Sequence, residues 1–183
     1  MQEPAHDLLI PHKASRPSPD AAPILSTARP HRREPIIRIP ALGLTVRVRF
    51  GCERDGQEVS VIETTHAAGF GPPLHRRAES EIFEIVAGRF LFEVDGRRFV
   101  ARRGDLVRVP AGAARAYVNV TGTGARQQIT IQPGFDAASF YAELAELLTA
   151  EAQSLESLRR FGKRWDIVVL GAPLDAAFDA FDA

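Results

Sequence analysis

The feature of this sequence that most constrains its fold is a series of short alternating runs between residues 36 and 133. In LTVRVRF (44–50) every second residue is apolar, and comparable runs follow as EVSVIETT, ESEIFEIVAG, RFLFEVDG, RRFVARRG, DLVRVPAG, RAYVNV and RQQITIQPG. Alternation with a period of two is typical of strands with one buried face, and Gly, Pro or Asp-Gly separates most of the runs. Many short strands at this spacing predict an antiparallel sandwich or barrel, so the predicted fold class is mainly β.

Three of these runs carry more specific expectations. Asp95-Gly96 in VDGRR predicts a hairpin with a type I′ turn. In EVSVIETT, Val59 and Val61 continue the apolar alternation of the preceding run. In RQQITIQ either face could be the inner one, so Gln128 and Thr130 are given no role.

The chain divides into three predicted regions. Residues 1–35 are rich in Pro, Ala and Arg, show no helical or strand period, and are expected to be an extended or disordered arm. Residues 36–133 form the predicted barrel. Residues 134–183 change to helical spacing and are predicted to be a C-terminal helical extension and tail.

Within this extension, Asp136 is predicted to cap a first helix, whose apolar stripe contains Phe140, Leu144, Leu147 and Leu148. A second short helix, with Leu155, Leu158 and Phe161 on one face, is predicted to end at Gly162. WDIVVLGAPL (165–174) is expected to be an extended segment that packs on the barrel. The tail LDAAFDAFDA places Leu174, Phe178 and Phe181 on one helical face, for docking on this barrel or a partner, or for fraying.

The bulk composition excludes several classes of protein. A length of 183 residues suits one domain with extensions, and a formal net charge of zero argues against a nucleic-acid or anionic-membrane partner. The basic cluster RPHRREP (29–35) is interpreted as a solvated arm rather than a nucleic-acid contact. The single cysteine, Cys52, excludes an intrachain disulfide or a Cys-based zinc site. With no apolar run long enough to span a membrane and no signal-peptide pattern, the expected location is cytoplasmic.

Two motifs within the β region resemble those of the cupins, a family of small double-stranded β-helix (jelly-roll) barrels. Gly69, His75, position 77, Glu81 and Gly88 fit the spacing of the first cupin motif. The second motif is matched by a further set in the same order: Gly104, Pro110, Gly112, position 115 and Asn119. The resemblance covers roughly residues 44–133, and it implies a cupin barrel with its ligand site in the mouth.

The chain departs from the family at the metal site. The resemblance implies a site of three histidines and one glutamate, but positions 77 and 115 are both arginine, which leaves only His75 and Glu81. Arginine remains protonated and has no lone pair to donate to a metal. Because transition-metal sites usually need at least three protein ligands, we expect no metal and no other cofactor. His66 is a possible replacement ligand, although we expect it to be a loop-end residue at the surface.

If the barrel closes as in cupins, the motif positions converge on one pocket. The predicted ligand-binding residues are His75, Arg77, Glu81, Phe83, Arg115 and Tyr117, in an apolar cup that also contains Phe90 or Phe92. One carboxylate can balance only one guanidinium, which leaves about one positive charge, or two if His75 is protonated. A buried unpaired charge costs several kcal/mol. An anionic ligand, a further carboxylate such as Glu79 or Glu63, or water could offset it.

Three functions remain open. The leading one is a metal-free cupin that binds a small polar or anionic molecule. A second is an enzyme, resembling either the quercetin-degrading dioxygenases or the metal-free cupin epimerases, whose His base and Tyr acid would correspond to His75 and Tyr117. A third is a structural or regulatory protein with a vestigial site. The arm, the apolar tail and the sheet edges would suit a homodimer.

Overall fold

The computed structural model describes residues 34–50, 59–150 and 154–177. The predicted arm, apart from Glu34 and Pro35, lies outside these residues, as do Cys52 and the tail residues Phe178 and Phe181. Glu34 is within 4 Å of two arginines of the first long strand, Arg47 and Arg49. Neither of the described helices has the length and apolarity needed to cross a membrane.

The described residues form eleven strands, one 3₁₀ turn and two helices. In chain order these are β1 (Ile36–Ile39), the 3₁₀ turn (Pro40–Leu42), β2 (Leu44–Phe50), β3 (Ser60–His66), β4 (Pro73–Arg76), β5 (Ser80–Ala87), β6 (Arg89–Val94), β7 (Arg97–Arg102), β8 (Leu106–Val109), β9 (Arg115–Asn119), β10 (Ala125–Gln132), α1 (Ala137–Ala150), α2 (Leu155–Arg164) and β11 (Val168–Pro173).

The strands make two antiparallel sheets. A six-stranded sheet has the order β1-β2-β3-β10-β5-β8, and a five-stranded sheet has the order β11-β4-β9-β6-β7. The apolar core lies between their inner faces and contains, among others, Val46, Ile62, Phe83, Phe90, Phe92, Ile129 and Ile131. The predicted mainly β fold is therefore confirmed, with sequence-distant strands such as β3, β10 and β5 adjacent in one sheet.

The register of β2 against β3 determines which residues face the core. Leu44 pairs with His66 and Val48 with Ile62, so the even-numbered residues of both strands share the inner face. Val61 accordingly points outward, and the expectation that it continued the buried alternation is wrong. An irregularity after Val48 also leaves Phe50 37% exposed.

The structure answers two local questions, one about the Asp95-Gly96 turn and one about which face of β10 is buried. Asp95 and Gly96 both have positive φ values, 46° and 78°, as a type I′ turn requires. On β10 the inner face carries Gln127 and Ile129, both buried, while Gln128 faces away from the core. The hairpin prediction is confirmed, and the open question about β10 is answered in favour of the odd-numbered residues.

The C-terminal helices close one side of the barrel. Asp136 caps α1 as predicted, since its carboxylate accepts a hydrogen bond of 3.0 Å from the Ser139 backbone N–H. Helix α2 does not end at Gly162 but continues to Arg164. Gly162 is required for a different reason, because a Cβ there would lie 2.4 Å from the Ile167 carbonyl oxygen. The helices bury a second apolar cluster of Ile39, Phe140, Leu144, Leu148, Phe161 and Ile167.

Strand β11 confirms the predicted extended segment on the barrel. It pairs with β4 at the edge of the five-stranded sheet, with Val169 opposite His75. The C-terminal extension therefore reaches the strand that carries the first histidine of the motif.

Candidate functional site

A cavity of about 110 Å³ lies where the barrel mouth meets α1 and α2. Its polar wall is formed by His66, His75, Arg77, Glu81, Tyr117 and Tyr141. The remaining wall is largely apolar, with Leu42, Leu44, Pro72, Pro73, Ile129, Phe140, Leu144, Leu158, Phe161, Ile167 and Val169 among its residues. One side of the cavity is therefore polar, and the rest of its wall is apolar.

His75 has a defined tautomer. Its Nδ1 lies 2.7 Å from the Pro73 carbonyl oxygen, which can only accept, so Nδ1 carries the proton and Nε2 keeps its lone pair. Burial, together with the positive charges of Arg115 and Arg77, lowers the pKa of His75 to about 3. The imidazole is therefore neutral near pH 7, and the alternative of a protonated His75 is not supported.

Arg77 follows β4 and is only 5% exposed. Its Nε donates a hydrogen bond of 3.0 Å to Glu79, and its Nη1 lies 3.7 Å from Glu81 Oε1. The guanidinium also lies 4.2 Å from the ring centroid of Phe135, which precedes α1. Burial alone would lower the pKa of Arg77, but the carboxylates of Glu81 and Glu79 outweigh it and raise that pKa. Arg77 therefore stays charged and links the first motif to the helical extension.

Arg115 lies opposite His75 in the pairing of β4 with β9 and is fully buried. Its Nε donates a hydrogen bond of 2.8 Å to Glu81 Oε2. Nη2 lies 2.7 Å from the same oxygen without hydrogen-bonding alignment, and Nη1 has no hydrogen-bond partner. Burial and the neighbouring Arg77 lower the pKa of Arg115, which Glu81 partly restores. Glu81 is thus shared between the two arginines.

The charges of this cluster balance. Arg77 and Arg115 contribute two positive charges, Glu79 and Glu81 contribute two negative ones, and His75 is neutral. Of the three ways considered to offset the surplus positive charge, the structure shows the further carboxylate, which Glu79 supplies to Arg77. Glu63, the other candidate, faces outward and lies 3.8 Å from Arg126.

Two tyrosines place phenol groups at the cavity. Tyr117 is supplied by β9, and its pKa is raised well above its ordinary value by burial and then by the nearby Tyr141 and Glu81. Tyr141 comes from α1, and burial raises its pKa to about 12. Both are neutral hydroxyls over the physiological range. Tyr141 was missed in the sequence because it lies outside the motifs, although it directly follows Phe140 of the predicted apolar stripe.

His66 is not the surface residue that its loop-end position predicted. It is 2% exposed on the inner face of β3, and its ring packs edge-on against Tyr117 at 5.4 Å and Phe90 at 5.6 Å. Burial lowers its pKa to about 4, so it is also neutral near pH 7. Gln127, fully buried on the adjacent strand, was likewise unassigned in the sequence.

The six predicted ligand-binding residues separate into two groups. His75, Arg77, Glu81 and Tyr117 line the cavity. Arg115 and Phe83 lie behind its wall, Arg115 against Glu81 and Phe83 in the ring cluster with Phe92 and Tyr117. Within residues 34–50, 59–150 and 154–177, no three His, Cys, Asp or Glu side chains group closely enough to hold a metal ion. The donors at the cavity thus do not fit the family's metal.

Other motif residues shape the backbone. Gly88 has a φ of 81°, and a Cβ there would lie 2.6 Å from the Cβ of Ala125. The Asn119 amide donates to the carbonyls of His66 and Thr123 at 3.0 and 2.7 Å, and its oxygen accepts from the Thr121 backbone N–H. Gly88 and Asn119 therefore have structural roles that do not depend on a metal ion.

Comparison with known families agrees with this architecture. The family described as a cupin domain matches residues 61–127, which include both motifs in full. Residues 61–127 therefore contain a cupin domain, and the predicted resemblance to the cupin superfamily is supported over that part of the chain. No curated protein matches the sequence.

Solved structures resemble this cupin at the level of the fold. An RmlC-like cupin from Shewanella frigidimarina is 24% identical, with 57% of this chain and 87% of that chain covered and a TM-score of 0.49. A predicted oxalate decarboxylase from Thermotoga maritima is 18% identical, covering 49% and 80%, with a TM-score of 0.46. Pac13, a nucleoside dehydratase, is 12% identical, covering 81% and 95%, with a TM-score of 0.54. The predicted jelly-roll fold is confirmed, and a shared fold does not by itself select a function.

Proposed function

We propose that this cupin binds a small, uncharged molecule with a mainly apolar body and one hydrogen-bond donor, without a metal ion. The observation that carries the proposal is the Nε2 lone pair of His75. Because Nδ1 donates to Pro73, the other ring nitrogen, Nε2, can only accept a hydrogen bond. Because its pKa is about 3, the ring keeps that lone pair at neutral pH.

The charge balance favours a neutral ligand over an anion. Arg77 is already compensated by Glu79 and Glu81, and Arg115 lies behind the cavity wall. An anion in the cavity would therefore add an unmatched charge beside two carboxylates in a poorly solvated site. A neutral hydroxyl or N–H group meets no such penalty.

The dimensions of the cavity favour a ligand of about one ring. A volume of about 110 Å³ is of the same order as the roughly 150 Å³ engineered apolar cavity that holds benzene. The rings of Phe140, Tyr141 and Phe161 supply apolar contact area. Ligand pockets of this kind commonly combine an apolar lining with a few polar groups that fix orientation.

Three ring-sized probes test the proposal, namely phenol, benzoate and benzene, with affinities measured by calorimetry or by NMR titration. We expect phenol to bind more tightly than either of the others. The variant His75→Leu should lower phenol affinity about tenfold, as expected for loss of one hydrogen bond, and leave benzene binding unchanged. Tyr141→Phe is the control, because it removes a cavity hydroxyl and leaves the His75 acceptor in place. Preferential binding of benzoate, or equal phenol affinity in His75→Leu, would refute the proposal.

A second candidate is a metal-free enzyme that transfers a proton. The observation that favours it is the placement of an imidazole base, His75, and two neutral phenols, Tyr117 and Tyr141, around one cavity. The fold similarity to a nucleoside dehydratase is compatible with such chemistry. A pKa of about 3 makes His75 a weak base, since general bases work best near the operating pH. This candidate therefore requires an anionic substrate, whose charge would oppose Arg77 and Arg115 and raise the pKa of His75.

The test of the second candidate is an NMR titration of His75 with and without saturating benzoate. The proton-transfer function predicts a higher pKa of His75 when benzoate is bound, and an unchanged pKa would contradict that function.

A further inference from the structure

The Tyr117 hydroxyl is a polar group at the cavity that no described protein group binds. Tyr117 is 7% exposed, and its ring lies on the inner face of β9 against the rings of His66, Phe83 and Phe92. The residue lines the cavity, yet its hydroxyl makes no hydrogen bond to any residue in the described part of the chain. Because buried polar groups are nearly always paired, this hydroxyl needs a partner that the cavity supplies.

The Tyr117 oxygen differs from the other unpartnered polar atoms in its access to the cavity. Five side-chain atoms of the described residues have neither a hydrogen-bond partner nor accessible surface. They belong to His66, Arg115 and Gln127, and they include both polar atoms of the Gln127 amide. The Tyr117 oxygen is not among them, so it retains accessible surface. Since Tyr117 is buried in the barrel and lines the cavity, a molecule in the cavity can reach this oxygen.

The unmet requirement of this hydroxyl is for an uncharged acceptor. Burial, followed by the nearby Tyr141 and Glu81, raises the pKa of Tyr117 well above its ordinary value, so the phenol keeps its proton. Unpaired donors are rarer in proteins than unpaired acceptors, so the O–H group is the part that most needs a partner. Arg115 and Arg77 act on the phenol with the opposite sign to Glu81, and the charges of this cluster balance. The surroundings therefore do not select an ion.

We infer that the Tyr117 hydroxyl donates a hydrogen bond to a carbonyl oxygen of the ligand, as in a ketone, an aldehyde or an amide. The inference rests on the proposed function and adds a second polar group to the ligand. The ligand would then be a small ring compound that carries a hydroxyl or N–H group, which His75 accepts, and a carbonyl group, which Tyr117 binds.

Two ring compounds of nearly the same shape test the inference. Cyclohexanone and methylidenecyclohexane differ only by C=O against C=CH₂, and neither has a donor for His75. Their affinities are measured by NMR titration for the wild type, Tyr117→Phe and Thr130→Val, together with the affinity of the wild type for phenol. Tyr117→Phe removes only the hydroxyl. Thr130→Val removes a hydroxyl from the outer face of β10, where Thr130 lies opposite Val61 and Ile82, and is the control.

We expect the wild type and Thr130→Val to bind the ketone about tenfold more tightly than the alkene, as one additional hydrogen bond provides. Tyr117→Phe should lose this preference. Equal binding of ketone and alkene by the wild type, or a preference that persists in Tyr117→Phe, would overturn the inference while phenol binding upheld the proposed function. A ketone preference without phenol binding would instead overturn the proposed function, and with it the ligand that carries both groups.

The stability of the ligand-free variant provides an independent check. Since the Tyr117 hydroxyl has no partner among the described residues, Tyr117→Phe should unfold at a urea concentration no lower than that of the wild type. A lower urea midpoint would show that the hydroxyl is bound within the protein, and the inference would then be wrong.

Discussion

Neutralising Glu81 is the most informative single change in this protein, because one carboxylate serves two buried arginines. Its Oε2 accepts from Arg115 Nε at 2.8 Å and lies 2.7 Å from Nη2, while Oε1 is 3.7 Å from Arg77 Nη1. Glu81→Gln keeps the shape of the side chain and removes its charge. Arg77 retains Glu79, so the cost falls mainly on Arg115, which has no second carboxylate partner among the described residues.

The size of the effect follows from the burial of the pair. Arg115 is 0% exposed and the Glu81 side chain 6% exposed, so solvent screens their attraction little. Removing one partner of a buried ion pair costs about 3–5 kcal/mol, and the glutamine oxygen can still accept, which favours the lower end. A loss of about 3 kcal/mol corresponds to a decrease in Tm of roughly 10 °C for a chain of this size. Since domains have about 5–15 kcal/mol of stability, the variant should still fold.

The measurement is urea unfolding followed by circular dichroism, with Glu84→Gln as control. Glu84 is on the same strand but exposed, so its neutralisation should change the free energy of unfolding by less than about 0.5 kcal/mol. Adding Arg115→Met to Glu81→Gln should restore most of the loss, since the unpaired charge is then removed. Equal stabilities of Glu81→Gln and Glu84→Gln would refute the reasoning, as would failure of the double variant to recover.

Three further predictions concern the same barrel. The free energy of unfolding should fall between pH 7.5 and 5, because His66 and His75 have folded pKa values of about 4 and about 3, below their ordinary value of 6.5. Below pH 6.5 the unfolded chain binds more protons than the folded chain, so the free energy of unfolding falls by at most about 2.7 kcal/mol per pH unit for the two residues together. A urea midpoint that does not change with pH would contradict this prediction. The double variant Arg77→His, Arg115→His should retain one zinc ion after dialysis, by elemental analysis, whereas absence of zinc would mean that the side chains do not converge. Gln127→Met should raise the free energy of unfolding of the ligand-free protein by about 1–3 kcal/mol, and destabilisation would show that its amide has partners.

The fold was predictable because its signals are local. The alternation in β2, the Asp-Gly turn and the Asp136 cap depend on a few neighbouring residues, and each recurs in the structure. The facing of β3 was not predictable in this way, because Ser60 and Thr64 are polar and face inward while Val61 faces outward. The pairing of Leu44 with His66 across two strands decides that facing, and no single run contains it.

The residues of the candidate site likewise include some that were predictable from local sequence and some that depend on tertiary packing. His75, Arg77 and Glu81 were predicted from motif spacing and Tyr117 from the strand face that it shares with Arg115, and all four line one cavity. The role of Glu79 as the second counter-ion depends on how the Arg77 side chain turns, which spacing does not specify. Tyr141 reaches the site only because α1 packs over the barrel mouth. The tertiary arrangement, which the sequence motifs do not specify, therefore determines the charge balance. That balance changes the proposed ligand from an anionic or polar molecule to an uncharged one.

The same charge balance predicts that Arg77 and Arg115 depend on each other. In a metal-binding version of this site, a divalent ion would supply two positive charges opposite Glu79 and Glu81, and here Arg77 and Arg115 supply the same two charges. Replacing one arginine by histidine removes one of these charges without completing the ligand set, which leaves a buried carboxylate uncompensated. Each single variant should therefore be less stable than both the wild type and the zinc-loaded double variant. A single variant as stable as the wild type would mean that the two arginines are independent, and the charges would then have no part in holding this cavity together.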